Sequence, residues 1–167
     1  IPVGAGLGGG SADASYTLSG VNALFDLGFS SAELEDFAAQ LGSDCPFFIA
    51  GGLQLAKGRG EILTKLEPLG KPVYLVLCNP HIHVSTQAAY AGVQPENGRP
   101  SLLDQFQTQG LNGLHNDFER SVFKAYPLIE DLKNALYHAG ASYAAMSGSG
   151  SSVYGIFEGE PDLSLEL

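Results

Sequence analysis

Apolar residues recur at helical spacing through the first forty positions: Ala12, Leu18, Val21, Leu24 and Phe25, then Leu34, Phe37, Ala38 and Leu41. That period predicts two amphipathic helices. Ser11 stands as the N-cap of the first, which runs on through Asp26 toward a stop at Gly28. The second starts at Ser30, where Glu33 completes a capping box, and ends at Gly42. Asp44 then precedes Pro46 in "SDCPFFIAGG", a placement suited to the first turn of another short helix.

From Leu53 the period changes. "LQLAKGRGEILTKL" predicts two strands joined by a glycine turn, and "VYLVLCN" (Val73 to Asn79) predicts a buried strand. Ser85 to Tyr90 predicts a short helix, and residues 91–100, with two prolines and two glycines, predict a loop. Helices follow over Asn116 to Ala125 and Pro127 to Ala139, the latter closed by Gly140. "SYAAMSGSGSSVYGIFE" then predicts strand, glycine-serine turn, strand. No segment repeats, and strand pairs mix with helices without regular βαβ alternation, so the expected class is α+β.

Composition narrows the partners. The 167 residues are one domain's worth of chain, and 44% of them are hydrophobic, as a packed core requires. Eighteen Asp plus Glu against eight Lys plus Arg give a net charge of −10, a field that repels nucleic acid and anionic lipid. A small anion can still be held by backbone N–H groups without any lysine. No signal peptide and no bilayer-length apolar run stand in the chain, so the expected setting is cytoplasmic, with no membrane partner. Cys45 and Cys78 lack metal-type spacing and read as free buried thiols of a reducing compartment. His81 and His83 form an H-x-H pair with no third ligand near, and read as strand-end histidines.

"GAGLGGGSADAS", residues 4–15, contains G-x-G-x-x-G at Gly4, Gly6 and Gly9. A dinucleotide-binding unit needs a strand before the glycines and an acidic residue at the end of a second parallel strand. Asp26 has the spacing but falls in the predicted helix, and no strand is visible before Leu53. A Walker loop needs a lysine, and none is near Ser11. A ligand-free turn would gain nothing from four glycines in five positions, Gly6 to Gly10, which cost chain entropy. The loop therefore reads as a phosphate cradle that opens a helix. The chain begins at Ile1, three residues before the loop and without the strand that would position it, so it is expected to be the back portion of a longer protein.

Pro2 followed by "GLGGGSADA" (Gly6 to Ala14) closely resembles the second motif of the GHMP kinases, a superfamily of small-molecule kinases. "LGSDCPFF" (Leu41 to Phe48) resembles the segment that carries their catalytic aspartate, and "MSGSGSSVYGIF" (Met146 to Phe157) resembles their third, glycine-rich motif. "HNDFE" (His115 to Glu119) is similar to an Asn-Asp-x-Glu segment of the member whose substrate carries a cytidine diphosphate group.

The resemblance implies the C-terminal portion of the GHMP kinase fold. Residues 1–68 would be the remainder of an N-terminal nucleotide-binding domain and 69–167 the C-terminal domain. It implies ATP- and Mg²⁺-dependent transfer to a small-molecule hydroxyl, in that member the 2-hydroxyl of a cytidine-diphosphate-linked methylerythritol on the non-mevalonate isoprenoid route. Gly6, Leu7, Gly8, Gly9, Gly10 and Ser11 would cradle ATP, with the Ser11 hydroxyl on phosphate or Mg²⁺. Asp44, which on its residues alone reads as an N-cap, would take the proton of the acceptor hydroxyl. Thr86 and Tyr90 would meet the substrate, Tyr90 stacking on cytosine unless it is a core tyrosine. Gly148, Ser149 and Gly150 would form the turn that shapes the substrate pocket. Asp13 reads as structural. The family's first motif and the lysine that works beside the aspartate have no counterpart here, so the stretch by itself is expected to be inactive. Homoserine, mevalonate, phosphomevalonate or a sugar as acceptor remains open, as does a nucleotide-binding module without turnover.

Overall fold

Glycine, not serine, sets the start of the first helix. In the computed structural model, which describes residues 1–68, 70–96 and 98–162, α1 spans Gly9–Leu24. Its N-cap is Gly8 in the left-handed conformation (φ 63°), with no side-chain cap. Ser11 is the third helical residue and not the cap. A left-handed turn costs glycine nothing, so the chain turns into the helix before the first residue able to cap it. The helix ends at Leu24, ahead of Gly28, and Asp26 lies beyond it with a φ of 49°.

Two compact units divide the chain: Ile1 with Gly8–Gly70, and Pro2–Leu7 with the residues from Lys71 onward. Leu69, where the sequence places the start of the second domain, lies outside the described residues, as do 163–167.

In the first unit, α2 (Ser31–Leu41) carries the expected capping box. The Ser30 hydroxyl accepts from the Glu33 N–H at 3.4 Å, and the Glu33 carboxylate accepts from the Ser30 N–H at 2.8 Å. The Ser30 N–H, and the Ser30 hydroxyl donating to the same carboxylate at 2.7 Å, hold the Glu33 carboxyl below the usual carboxylate range. α3 (Cys45–Ala50) follows with a proline in its first turn, and β1 (Gln54–Lys57) pairs antiparallel with β2 (Ile62–Lys65), as the pattern predicts. The buried side chains are Ala12, Ser15, Leu34, Ala38, Cys45 and Pro46, of which only Leu34 is a large aliphatic. Of the apolar stripe expected to bury α1, Leu24 is 77% exposed and Phe25 also lies open.

In the second unit β3 (Tyr74–Cys78) and β4 (Tyr143–Met146) each pair antiparallel with the central β5 (Val153–Phe157), in the order β3-β5-β4. α4 (Thr86–Ala91), α6 (Glu119–Ala125) and α7 (Pro127–His138) complete it, with α5 (Leu102–Gln109) and a 3-10 turn at Gly110–Gly113. Val84, Val122, Phe123, Ile129, Leu136, Met146, Val153 and Phe157 form its core. β3 is not the buried strand the pattern predicts. It lies at the described edge of the sheet, and while Val76 and Cys78 reach the core, Tyr74, Leu75 and Leu77 are exposed. Alternation on a half-covered sheet separates Val76 and Cys78 from Leu75 and Leu77, while Tyr74, on the core-facing side, is exposed at the start of the strand. The first of the two predicted late helices starts at Glu119, three residues after the predicted Asn116, and α5 is an element the pattern does not predict. It does carry a local start signal, since the Ser101 hydroxyl caps it by accepting from the Asp104 N–H at 3.1 Å.

Candidate active site

In the first unit the opening of α1 is a row of donors. Ala12 is the first residue to donate into the helical ladder, to the Gly8 carbonyl at 2.9 Å, so the N–H groups of Gly9, Gly10 and Ser11 precede it. With no side-chain cap over them and the positive end of the helix dipole behind them, they suit a phosphate. A Cβ at Gly10 would meet nothing within 4 Å, so the approach to these groups is open there. Gly8 and Gly9 are tighter: a Cβ would come within 2.8 Å of Phe48 and 3.0 Å of Ile1 respectively.

Asp44 occupies the N-cap position of α3 yet makes no side-chain cap bond. Its carboxylate is exposed and stands over Gly60, whose Cβ position lies 2.8 Å from Oδ1. Capping therefore does not account for this aspartate. A residue that the sequence pattern does not single out holds it in place. Ser15 is fully buried, and its hydroxyl points at the carbonyls of Ser11 and Cys45, both at 2.8 Å. One side chain thus ties the first residue of α3, next to Asp44, to α1 one turn below Ser11. The face of α1 that holds Ser15 also carries Ser11, Ser19 and Asn22, so no apolar stripe singles it out. Asp13 is exposed on α1, as a structural residue can be.

The start of the glycine loop belongs to the second unit, where it lies on the turn at 148–150. Ser147 Oγ donates to the Gly6 carbonyl at 2.7 Å, and the Ser152 N–H donates to the Ala5 carbonyl at 3.1 Å. A Cβ at Gly6 (φ 75°) would overlap the Ser147 carbonyl. Close backbone packing therefore demands glycine at position 6, whatever the loop binds. On the same unit the hydroxyls of Thr86 and Ser149 lie 3.3 Å apart. Tyr90, one turn after Thr86 on α4, is 65% exposed, which removes the core alternative for it. Its ring meets that of Phe118 edge to face, centroids 4.8 Å apart. Thr86, Ser149 and the turn glycines thus come together, with Tyr90 presenting a free ring face on the same helix as Thr86.

Cys45 is buried and Cys78 half-buried, both as free thiols, and burial pushes the Cys78 thiol up. Among the described residues no group of three or more His, Cys, Asp or Glu side chains gathers as a metal cage, and no helix is long and apolar enough to cross a membrane.

Residues 1–52 match the GHMP kinases N terminal domain, and residues 96–164 match the GHMP kinases C terminal domain. The chain belongs to the GHMP kinases. The expected α+β class and the C-terminal portion of the GHMP kinase fold are what the structure has. Over 168 residues the chain is 47% identical to the 4-diphosphocytidyl-2-C-methyl-D-erythritol kinase of Cytophaga hutchinsonii, covering 97% of this chain and 62% of that relative. It is also 47% identical over 163 residues to the protein of the same name from Bacteroides fragilis (strain YCH46), covering 96% and 60%. A crystal structure of 4-(cytidine 5'-diphospho)-2C-methyl-D-erythritol kinase superposes with a TM-score of 0.76 at 34% identity, covering 95% of this chain and 59% of that one. Homoserine kinase from Cytophaga hutchinsonii gives a TM-score of 0.74 at 21% identity over 93% of this chain and 57% of that one, a likeness of fold alone. This GHMP kinase chain spans about three-fifths of the length of the curated relatives it matches.

Proposed function

We propose that the protein carrying this chain is a cytoplasmic kinase that uses ATP and Mg²⁺ to phosphorylate the 2-hydroxyl of 4-diphosphocytidyl-2-C-methyl-D-erythritol, on the non-mevalonate route to isoprenoids. The observation that carries the acceptor is the exposed ring of Tyr90, beside the Thr86–Ser149 hydroxyl pair, in a GHMP kinase whose relatives named for that substrate are 47% identical. A pyrimidine stacks on such a ring, while homoserine and mevalonate have no π-face to offer.

Phosphoryl transfer asks the protein to position its reactants and to balance charge. Residues 1–68 serve the nucleotide and 69–167 form the C-terminal GHMP kinase domain. Gly6 to Ser11 cradle the phosphates, the N–H groups of Gly9, Gly10 and Ser11 taking their oxygens. The Ser11 hydroxyl, in the first turn of α1, would offer an oxygen to phosphate or to Mg²⁺, which would supply neutralisation of the phosphate charge. Asp44, uncapped and exposed, orients the acceptor hydroxyl and takes its proton as transfer proceeds. Thr86, Tyr90, Gly148 and Ser149 hold the cytidyl end. The two free thiols accord with a reducing compartment.

The test is the complete gene product given Mg²⁺-ATP and, in turn, the cytidyl acceptor, homoserine, mevalonate and phosphomevalonate. Transfer to the cytidyl acceptor alone is expected, and Asp44→Asn should lower kcat by ~10²–10⁴-fold with ATP affinity nearly intact. Transfer to homoserine instead would overturn the acceptor, and ATP binding without transfer to any of them would make the protein a binding module.

A further inference from the structure

The segment Asn116–Glu119 touches both halves of the proposed acceptor site. Asn116 lies just before α6, and all of its side-chain hydrogen-bonding capacity on the amide nitrogen is in use. Nδ2 donates to the Met146 carbonyl and to the Gly148 carbonyl, each at 2.8 Å, which commits both of its hydrogens. Oδ1 accepts from the Phe118 N–H at 3.0 Å. The first two bonds fix the turn that carries Ser149. The third fixes the residue whose ring abuts Tyr90. Three residues on, Glu119 closes the far side: its carboxylate accepts from the Met146 N–H at 2.8 Å and from Lys133 Nζ at 2.6 Å.

We infer that Asn116 is a positioning residue for the acceptor: its one amide sets the register between the 148–150 turn and the Phe118–Tyr90 ring pair. The inference rests on the proposed acceptor. Thr86 and Tyr90 are held to each other by α4, one turn apart, but Ser149 reaches them from another part of the chain through a single 3.3 Å contact. A contact of that kind does not fix a turn, because two hydroxyls on an exposed surface have water as an alternative partner. The Asn116 amide does, by holding Gly148 by its backbone. The loop side of the turn has its own ties, from Ser147 Oγ to Gly6 and from the Gly150 N–H to the Ser147 carbonyl. Loss of the Asn116 bonds therefore acts on the acceptor and leaves the nucleotide loop in place. Asparagine is needed in particular. Aspartate of the same shape keeps the acceptor for Phe118 but has no donor, and sets a carboxylate against two carbonyl oxygens.

Asn116→Asp in the complete gene product separates these roles. Losing two hydrogen bonds is expected to raise KM for the cytidyl acceptor by about tenfold or more, while kcat and KM for ATP stay within about threefold. Hydrogen exchange of the amides at 147–151 should quicken by about tenfold in the same variant, with α7 and β5 unchanged. Phe118→Leu, which keeps apolar bulk but removes the ring, should raise acceptor KM without touching KM for ATP, and it carries the test if Asn116→Asp does not fold. Unchanged exchange at 147–151 would overturn the clamp itself. Faster exchange with an unaltered acceptor KM, or an equal rise in both KM values, would overturn its role toward the acceptor. A wild-type protein that does not phosphorylate the cytidyl acceptor would instead overturn the proposed function on which the inference stands.

Discussion

Gly10 separates phosphate binding from packing more cleanly than its neighbours do. A side chain at Gly8 or Gly9 pushes on Phe48 or Ile1, so loss of nucleotide binding there would be confounded by a shifted loop. At Gly10 a Cβ meets no protein atom within 4 Å, and the residue sits in the first turn of α1 with an ordinary helical backbone. Gly10→Ala should therefore stabilise the helix, by roughly 0.5–1 kcal/mol on the usual glycine-to-alanine scale. Gly10→Val is expected to weaken ATP by about tenfold or more, which is ~1.4 kcal/mol, because its branches stand where the phosphate must approach the N–H groups. Calorimetric titration with Mg²⁺-ATP reads this directly. An unaltered affinity in Gly10→Val would show that the phosphates lie elsewhere.

The elements depend on ties that cross between them, and Ser15 is the clearest. Its buried hydroxyl joins α1 to the first residue of α3, and no other side chain reaches the Cys45 carbonyl among the described bonds. Ser15→Ala leaves that carbonyl only its bond within α3 and should cost ~0.5–1.5 kcal/mol in denaturant unfolding. Turnover should fall beyond what the stability loss explains, because Asp44 begins the same helix. A variant with unchanged unfolding midpoint would remove Ser15 as the tie. What the sequence made legible here were the local signals: the Ser30–Glu33 box, the proline in the first turn of α3, the glycine turn between β1 and β2, and the Gly-Ser turn of the last strand pair. What it did not make legible depended on partners far along the chain. Serine's preference for caps pointed to Ser11, yet Gly8 turns the backbone first. The apolar run at 73–79 pointed to a fully covered strand, yet only alternate residues of β3 meet the core. The bonds of Ser15 and Asn116 could not be found from spacing, since each reaches a carbonyl 30 or more residues away, although Asn116 stands in the Asn-Asp-x-Glu segment. Asp44 was legible only through the family motif, because the residues around it also describe a cap.

Across the whole chain, burial is uneven, and the two units should differ in their resistance to opening. Ile129, Met146 and Val153 in the second unit are fully or almost fully buried, and Phe123, Leu136 and Phe157 pack beside them. The first unit buries Leu34 with Ala12, Ala38 and Cys45, while Phe25, Leu27, Phe29 and Leu41 remain exposed. At ~25 cal/mol per Å² of apolar surface, small side chains contribute much less to closing a unit than these large ones do. Local opening free energy follows buried apolar contact, so residues 9–68 should open before 71–162. Chymotrypsin under native conditions, applied to the 167-residue chain, suits the test because its preferred aromatic sites occur in both units. First cuts are expected at Phe25 and Phe29, in the exposed stretch between α1 and α2, which is held by the Asn22–Phe29 bonds, a few backbone bonds to α1 and the Phe29–Phe37 ring contact. Cuts at Phe37 should follow, and a fragment beginning near Lys71 should persist longest by mass spectrometry. Tyr74 and Tyr90 are exposed as well, but each lies in a strand or helix packed on the larger core, which must open before the protease can seat the chain. Early cleavage at Tyr90 or Tyr126 with the α1–α2 stretch intact would reverse the order and show that burial in the second unit does not set its stability.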